Sequence, residues 1–589
     1  MTGGVFGGGA LWRALAVALM LAGPASAQQA ADTVAPEAKT TIESKPAVQA
    51  KRQMVVAANP LAAEAGLEVL RAGGNAADAL VAVQTMLGLV EPQSSGMGGG
   101  AFLVWYDGKT GEMTTFDGRE TAPAAATPDL FLGEDGQPLE FMDAVVGGRS
   151  VGVPGVPRLL ETVHRRYGTR PWQSLFEPAI KHAEKGFAIS PRLASLVANE
   201  GEKLDEDPGA RAYFFGSDGS PLPAGHLLRN PDYAATLRAV ATEGADAFYN
   251  GPIAAKIVET VRSHPTNPGL LTLDDLSVYK VKERPAVCAP YHDHEVCGMG
   301  PPSSGAIAVG QILGLLEPFD IATLGKDDPE AWRLIGDATR LAFADRGRYV
   351  ADSDFVSMPE GLLDAAYLKT RSELLRRPTA MGEDEANAGE PAWQKAELRT
   401  DGVSFEMPST SHFVIVDADG NIASMTTTIE NGFGARLMTG GFLLNNELTD
   451  FSFAPVEDGD NVANRVEPGK RPRSSMSPTI VLKDGKPVFA LGSPGGSSII
   501  SYVATTLIGL IDWKMDMQAA ISMPHFVNRF GPYDIEKGTT AEELAADLEA
   551  LGYKVAVKDL NSGLHGVAIT PDGLTGGADP RREGAALGD

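Results

Sequence analysis

The chain has 589 residues, and its 76 aspartates and glutamates outnumber its 50 lysines and arginines, which gives a formal charge of −26. So negative a chain argues against nucleic-acid binding and fits a soluble exported protein. The length corresponds to about three or four average domains, although large α/β enzymes can hold one core at this size.

The N-terminus has the pattern of a secretory signal. Residues 1–27 carry one charged side chain, Arg13, followed by an apolar run from Ala14 to Ala22 and by Ala25-Ser26-Ala27. The apolar run is too short to span a bilayer, and the last three residues form an A-x-A cleavage site. Residues 28–50 lack periodicity and predict a flexible leader. We therefore expect a secreted, periplasmic protein without a membrane span after cleavage.

Two helices and a glycine turn are predicted next. Apolar residues recur at helical spacing over residues 60–72 and 76–89. Residues 96–101 nearly match a dinucleotide fingerprint, but they precede the strand at 102–106 instead of opening a helix, so no nucleotide site is predicted. Arg119 follows a glycine at a strand end and offers a planar fork suited to a carboxylate, although a surface arginine is the plain alternative.

The sequence GRSVG at residues 148–152 matches the G-x-S-x-G pattern of serine hydrolases, with Ser150 as the nucleophile. A nucleophile elbow passes straight into a helix, whereas Pro154 and Pro157 delay the next predicted helix to about Arg158. This spacing argues against Ser150. Amphipathic patterns predict mostly helices from there to residue 350.

The two cysteines, Cys288 and Cys297, bracket the sequence APYHDHEV. In an exported protein they could form a disulfide between facing strands of a hairpin, with a free buried pair as the alternative. His292 and His294 lie between them, but no further metal ligands are nearby in the sequence, so no metal site is predicted. Residues 372–408 are polar with scattered charges and predict an exposed linker.

After this linker, a hairpin is predicted around Asp419-Gly420, because that dipeptide is typical of a type I′ turn. The apolar run FVIV before the turn lacks alternation, which is typical of a strand buried on both faces. A two-residue turn pairs Thr410 with Ile429, and a one-residue bulge would place it beside Thr428 or Glu430. Two hydroxyls and a carboxylate are thus expected at one strand end.

The pattern Thr-Ser-His-Phe-x-x-x-Asp-x-x-Gly-Asn that starts at Thr410, followed by Thr-Thr-Thr-Ile-Glu, resembles the start of the small subunit of gamma-glutamyltranspeptidases. Arg-Glu-x-Ala-Pro at Arg119, then LNNELTDF, RPxSSMSPT and GSPGG, resemble further motifs of that family in order. The similarity runs from about residue 52 to the C-terminus. It implies a mixed α/β fold, the four-layer αββα sandwich of N-terminal nucleophile hydrolases.

The resemblance also implies self-cleavage between Ser409 and Thr410. A large subunit, residues 51–409, and a small subunit, residues 410–589, would then form one interlocked heterodimer. A threonine hydroxyl is a weak nucleophile unless a base takes its proton, and the freed α-amine, with a pKa of about 7.7 to 8.0, can do so near pH 7.

Site roles are carried over from the family residue by residue. Thr410 would be the nucleophile, Thr428 its hydrogen-bond partner, and the Gly495 and Gly496 N–H groups the oxyanion hole. Ligand contacts to the α-carboxylate of a γ-glutamyl group are expected from Arg119, Ser474 and Ser475, and contacts to its α-ammonium from Glu430, Glu447 and Asp450. The expected donors are glutathione and other γ-glutamyl compounds, the acceptors are water, amino acids or peptides, and no cofactor is expected.

Three carboxylates around one cation repel each other when it is absent, so at least one of their pKa values is expected to be raised. Two features receive no predicted role. Arg473 stands where several relatives have leucine, and residues 451–469 form a loop that is a lid in some members.

Two alternatives stay open. One is an acylase of the same fold that acts on glutaryl-type amides, such as a cephalosporin acylase, although the acidic cluster argues against a substrate without an α-ammonium. The other is a non-catalytic periplasmic binding protein that keeps the pocket and never cuts itself.

Overall fold

The computed structural model describes residues 42–393, 400–402, 404, 406–407 and 409–589. The predicted signal and most of the leader lie outside the described residues. Two antiparallel sheets of seven strands each dominate the fold. Sheet I runs, from edge to edge, through Ala585–Gly588, Met54–Ala57, Ser411–Val416, Ile422–Thr428, Gly100–Tyr106, Met113–Gly118 and Lys282–Arg284. Sheet II runs through Val48–Ala50, Gly573–Ala578, His565–Thr570, Lys486–Gly492, Thr479–Lys483, His294–Gly298 and Val287–Tyr291.

Helices surround the two sheets. The α-helices are Pro60–Arg71, Ala76–Val90, Phe141–Val145, Val156–Tyr167, Glu177–Lys185, Pro191–Asn199, Gly201–Leu204, Pro208–Phe214, Pro231–Glu243, Asp246–Tyr249, Gly251–Arg262, Leu273–Ser277, Gly305–Leu316, Ile321–Leu324, Pro329–Tyr349, Ala365–Ser372, Ile499–Ile511, Met517–Ile521 and Ala545–Ala550. Single 3₁₀ turns span Gly148–Ser150, Trp172–Leu175, Glu360–Leu363, Glu373–Leu375, Glu383–Glu385, Glu447–Asp450, Gly496–Ser498 and Thr540–Leu544. Among the described residues, no helix combines the length and the apolar character that crossing a membrane requires.

Short strands complete the fold. Three two-stranded ribbons pair Phe187–Ala188 with Leu227–Leu228, Met438–Thr439 with Phe442–Leu443, and Val456–Glu457 with Asp460–Asn461. A small three-stranded sheet contains Phe526–Val527, Tyr533–Glu536 and Val555–Lys558, of which the last two strands are parallel.

The central strand Ser411–Val416 explains how the layers stack. Phe413 and Ile415 belong to the core between sheet I and the helices at 60–71 and 76–90. Val414 and Val416 point the other way, into the core between the two sheets. Both faces of this strand are apolar, so the FVIV run is buried on both sides as predicted.

The outer face of sheet II is covered in the same way. Val481 and Leu491 of that sheet share a core with Ile312, Trp332 and Val503 of three helices. The described residues therefore stack as helices, sheet, sheet and helices.

Several local predictions are confirmed. The first two helices run over Pro60–Arg71 and Ala76–Val90, and asparagine side chains cap both N-termini. The glycine turn leads into the strand Gly100–Tyr106. Ser150 ends a 3₁₀ turn, its hydroxyl donates to the Val145 carbonyl at 2.7 Å, and no helix follows it directly. Ser150 is therefore not on a nucleophile elbow.

The predicted disulfide is present. Cys288 and Cys297 are bonded and lie directly opposite each other in the hairpin of Val287–Tyr291 and His294–Gly298. The bond ties the edge strand of sheet II to its neighbour.

Candidate active site

The hairpin that begins at Thr410 has a different register from the simplest prediction. Its turn covers five residues, 417–421, because the Asp417 carboxylate accepts hydrogen bonds from the N–H groups of Asp419 and Asn421. The pairing of Thr410 with Ile429 is therefore wrong by one position. The observed register brings Thr410 level with Thr428, which is the outcome expected for a bulged turn.

The two threonine hydroxyls meet at the end of this hairpin. Thr410 Oγ donates to Thr428 Oγ at 3.2 Å, and both side chains are buried. Thr428 Oγ also accepts the N–H of Glu430 at 2.8 Å. The Glu430 backbone has a φ of 75°, a left-handed conformation that costs a non-glycine residue roughly 1–2 kcal/mol. The Glu430 carboxylate accepts from the Met407 N–H at 2.9 Å and from the Asn446 side chain, and it lines the same cavity as the two threonines.

Three contacts that the sequence did not predict hold the backbone around Thr410. Arg582 donates to the Thr410 carbonyl at 3.0 Å. Ser409 Oγ donates to the Gln93 carbonyl at 3.0 Å, and Ser411 Oγ donates to Glu91 at 3.1 Å. The Ser409–Thr410 bond is therefore fixed from both sides in the uncut chain.

The glycine turn at Gly495 and Gly496 lies directly against the segment before this bond. A Cβ on Gly496, whose φ is 55°, would lie 2.4 Å from the Glu406 carbonyl oxygen. Ser497 N–H donates to the same carbonyl at 3.4 Å. Only glycine allows this approach, and the predicted oxyanion hole is thus covered by the uncut segment.

Arg119 lies at the centre of a buried charge cluster. Its two terminal nitrogens donate to the carboxylates of Glu447 and Asp450, and its Nε donates to the Pro472 carbonyl at 3.2 Å. The guanidinium is 1% exposed. Arg119, predicted to bind the α-carboxylate of a γ-glutamyl donor, is therefore paired with two of the carboxylates predicted to bind its α-ammonium.

The carboxyl groups of this cluster have raised pKa values. Burial, followed by the charge of Glu447, raises the pKa of Glu430 to about 8. Burial also raises the pKa of Glu447 and of Asp450. The predicted direction is confirmed, although desolvation is a larger cause than mutual repulsion. Glu120, which the prediction passed over beside Arg119, joins the cluster, and burial together with Glu447 raises its pKa well above the usual range.

The two predicted serines lie beside this cluster. Ser475 Oγ accepts from Arg346 at 2.9 Å, and Ser474 Oγ accepts from the Met476 N–H at 3.2 Å. Arg346 lies in the helix Pro329–Tyr349, and nothing local in the sequence marks it as a site residue.

The predicted residues line one cavity of about 20 Å³. This is room for about one water molecule, far less than the several hundred Å³ of an ordinary ligand pocket. The lining residues are Arg119, Glu406, Met407, Ser409, Thr410, Thr428, Glu430, Glu447, Asp450, Ser474, Ser475, Met476, Gly496 and Ile499. All of the predicted catalytic and binding residues belong to this set except Gly495, which is the neighbour of Gly496.

Glu406, Met407 and Ser409 of the segment before Thr410 line this cavity. Met407 and Ser409 are buried, and the Met407 N–H donates to Glu430 at 2.9 Å. Met407 packs with Phe451 and Phe453 of the loop at 451–469. The prediction of an exposed linker is therefore wrong for its last described residues, because apolar packing and ion pairs bury them.

The sequence is similar to known proteins over most of its length. A family model described as Gamma-glutamyltranspeptidase matches residues 62–589. The glutathione hydrolase proenzyme of Bacillus subtilis (strain 168) is 38% identical over 551 residues, covering 91% of this chain and 92% of that protein. The glutathione hydrolase proenzyme of Escherichia coli (strain K12) is 36% identical over 584 residues, covering 97% of each.

A solved structure gives the same result for the fold. The cephalosporin acylase from Bacillus halodurans superimposes with a TM-score of 0.81 at 26% identity, covering 94% of this chain and 99% of that one. The motifs, the site and these similarities together establish that the chain belongs to the gamma-glutamyltranspeptidase family.

Proposed function

We propose that the chain is an autoprocessed gamma-glutamyltransferase and glutathione hydrolase. It cleaves the γ-glutamyl amide of glutathione and related compounds and passes the γ-glutamyl group to water, an amino acid or a peptide. One observation carries this proposal: the Thr410–Thr428 hydroxyl pair shares a cavity with Arg119, Glu447 and Asp450. A nucleophile thus lies beside groups that match both charges of an amino acid.

Maturation begins with attack of Thr410 Oγ on the Ser409 carbonyl. The C–N bond breaks, the amine of Thr410 leaves with a proton, and an ester joins the two residues. Water then opens the ester and releases the new carboxylate of Ser409. The hydrogen bonds that fix Ser409 and the Thr410 carbonyl support this step, because they hold the bond in one geometry.

The products would be a large subunit, 51–409, and a small subunit, 410–589, in one four-layer αββα domain of the N-terminal nucleophile hydrolase type. Sheet topology supports an interlocked heterodimer. The strand Ser411–Val416 lies between Met54–Ala57 of the large subunit and Ile422–Thr428 of the small subunit. Cutting before Thr410 breaks the chain and leaves these strand pairings intact.

In the mature enzyme, the α-amine of Thr410 takes the hydroxyl proton as Oγ attacks the γ-carbonyl. The amide C–N bond breaks, the leaving amine receives that proton, and a γ-glutamyl ester remains on Thr410. An acceptor amine or water then resolves the ester. The N–H groups of Gly495 and Gly496 would stabilise the oxyanion, and such a donor contributes about 2.7 to 4 kcal/mol.

The charged groups of the substrate replace ion pairs that the site residues make with one another in the uncut chain. Arg119 is already paired with Glu447 and Asp450. A zwitterionic γ-glutamyl group can place its α-carboxylate on Arg119 and the two serines, and its α-ammonium on Glu430, Glu447 and Asp450. Every buried charge then keeps a partner, which avoids the cost of leaving one unpaired.

A second candidate is an acylase for glutaryl-type amides, which is favoured by the similarity to the Bacillus halodurans cephalosporin acylase. A glutaryl group adds a negative charge to the cluster and brings no ammonium. Hydrolysis of L-γ-glutamyl and glutaryl amides with one shared leaving group separates the two functions. We expect the γ-glutamyl amide to have the higher kcat/KM, and a preference for the glutaryl amide would refute the proposal.

We also propose that the protein is exported through the signal at residues 1–27 and acts in the periplasm, which fits its acidic sequence. Fractionation of the producing cells, followed by mass spectrometry, should find the 410–589 fragment outside the cytoplasm. An uncut protein without turnover would instead support the binding-protein alternative.

A further inference from the structure

The glycine turn at 495–496 packs on two buried aromatic side chains. The φ of Gly495 is 136°, and a Cβ on this residue would lie 2.7 Å from Cε2 of Tyr502. The Tyr502 ring packs in turn against the imidazole of His525, with the ring centroids 4.3 Å apart. Both side chains are buried. The position of the turn therefore depends on Tyr502, and the position of the Tyr502 ring depends on His525.

Hydrogen bonds hold His525 at its backbone and at its ring. The His525 N–H donates to the Glu536 carboxylate at 3.0 Å. On the ring, Nε2 lies 2.6 Å from Ser562 Oγ, and the Ser562 hydroxyl donates to the Asp579 carboxylate. A hydroxyl has one proton, so Ser562 accepts from the imidazole, and Nε2 of His525 is protonated. This bond fixes the orientation of a ring that is buried away from water.

The same buried contacts reach the backbone of Thr410. The Arg581 guanidinium is paired with Asp579 at 3.2 Å and with Glu536 at 2.6 Å, so it joins the two carboxylates that hold His525 and Ser562. The next residue in the chain, Arg582, donates to the Thr410 carbonyl at 3.0 Å. One hydrogen-bonded network therefore connects the strand end that carries the nucleophile to the support of the glycine turn.

We propose that His525 is a positioning residue that fixes, through Tyr502, where the N–H groups of Gly495 and Gly496 lie relative to Thr410 Oγ. His525 does not line the Thr410 cavity, so it acts on the reaction only through these contacts. The assignment rests on the proposed function and extends it to a buried residue outside the cavity.

A positioning role of this kind affects kcat more than KM. Oxyanion-hole donors are effective only at the position that the oxyanion occupies, and both formation and breakdown of the γ-glutamyl ester pass through an oxyanion. A displaced turn therefore weakens an interaction made in the transition states of both steps. Binding of the ground-state substrate, which depends on Arg119 and the acidic cluster, stays the same.

Three variants test the proposal. His525→Phe keeps an aromatic ring and removes the Nε2 donor, Tyr502→Leu removes the ring that touches Gly495, and a third variant carries both changes. Each single change should lower kcat for γ-glutamyl-p-nitroanilide about tenfold and leave KM within about twofold. Because His525 acts through Tyr502, the double variant should lose no more kcat than Tyr502→Leu alone.

His294→Phe is the matched control. His294 is also buried beside an aromatic ring, that of Phe489, and it does not line the Thr410 cavity. This change should alter kcat less than about twofold. An unchanged kcat in His525→Phe, a raised KM in place of a lowered kcat, or an additive loss of about a hundredfold in the double variant would overturn the proposal. A wild-type protein that cannot release the anilide would instead reject the proposed function.

A measurement on the mature wild-type protein decides if these variants do not mature. In protein labelled with ¹⁵N-histidine, the Nε2–H resonance of His525 can be identified by its contact with the Tyr502 ring. This resonance should shift when a glutamate analogue with a boronic acid at the γ position forms a tetrahedral adduct with Thr410. A resonance that stays unchanged in the adduct would contradict the role of His525.

Discussion

Thr428 accepts two hydrogen bonds at once, from the Thr410 hydroxyl at 3.2 Å and from the Glu430 N–H at 2.8 Å. The second bond uses one lone pair of Thr428 Oγ, and the first orients the Thr410 hydroxyl towards Thr428. One side chain therefore links the Thr410 hydroxyl to the backbone of Glu430, a residue of the proposed ammonium site.

This link predicts the behaviour of Thr428 variants. Thr428→Val keeps the shape but leaves the buried N–H of Glu430 without an acceptor, which costs about 1–3 kcal/mol. We expect kcat/KM for a γ-glutamyl anilide to fall about tenfold or more, and self-cleavage to slow. Thr428→Ser keeps the acceptor and should retain most activity. Equal loss in both variants would contradict a role for the Thr428 hydroxyl, because serine keeps this hydroxyl and valine does not.

Substitution of Thr410, the proposed nucleophile, gives an all-or-none prediction. Thr410→Ala removes the attacking oxygen, so both self-cleavage and turnover should disappear. Thr410→Ser keeps the oxygen but loses the β-methyl that restricts χ1, so it should cut and turn over more slowly. On the same samples of each variant, a denaturing gel measures self-cleavage and a γ-glutamyl anilide assay measures turnover. Normal turnover by the alanine variant is incompatible with the proposal.

Asp450→Asn tests the recognition of the ammonium group. The variant keeps the shape of the side chain and removes a charge that pairs with Arg119. The KM for a γ-glutamyl amide should rise about tenfold or more, because one charge-assisted contact is lost. The KM for the matching glutaryl amide should rise less or fall. If both values rise equally, Asp450 does not bind the ammonium.

Stability of the uncut chain should depend on pH through Glu430. Its pKa is about 8 in the folded protein and near 4.5 in an unfolded chain. Between these values the folded protein holds a proton on Glu430 that the unfolded chain releases, so the contribution of Glu430 to the free energy of unfolding is greatest below about pH 4.5 and is lost as the pH rises to about 8. Urea unfolding of Thr410→Ala across this range measures the fall. Adding Glu430→Gln to this variant should make the free energy of unfolding fall less over the same pH range. An unchanged fall would contradict the assignment of the raised pKa to Glu430.

The disulfide gives a prediction about stability alone. Cys288 and Cys297 close a loop with a sequence separation of 9, for which loop entropy predicts about 2–3 kcal/mol of stabilisation. Replacing both cysteines with serine should lower the free energy of unfolding by this amount in denaturant titrations. Turnover should persist at temperatures where the variant is folded, because neither cysteine lines the Thr410 cavity. Loss of turnover in the folded variant would tie the hairpin to the site.

Local sequence patterns predicted the helices and strands better than they predicted the register between paired strands. The strand before Asp419-Gly420 and its burial followed from the apolar run and the turn residues. The exact register did not, because the Asp417 carboxylate organises a five-residue turn that the dipeptide alone does not reveal. The shift by one residue decides whether Thr410 meets Ile429 or Thr428.

Residues that act over long sequence distances were missed. Arg582 contacts the Thr410 carbonyl across 172 positions, and no local pattern distinguishes it from a surface arginine. The burial of Glu406 was hidden for the same reason, since a glutamate in a polar stretch predicts exposure until its partner Arg346 is known. For Glu120 a signal was available, because it follows Arg119 directly within the family motif.

The most direct test of the account is the mass of the protein during turnover. Purified wild-type protein, mixed with a γ-glutamyl donor and quenched with acid, should contain a fragment that starts at Thr410 and a second species heavier by one γ-glutamyl group. Peptide mapping should place that group on Thr410. A fully active but undivided chain, or an acyl group on a different residue, would contradict the central claim that the freed threonine is the nucleophile.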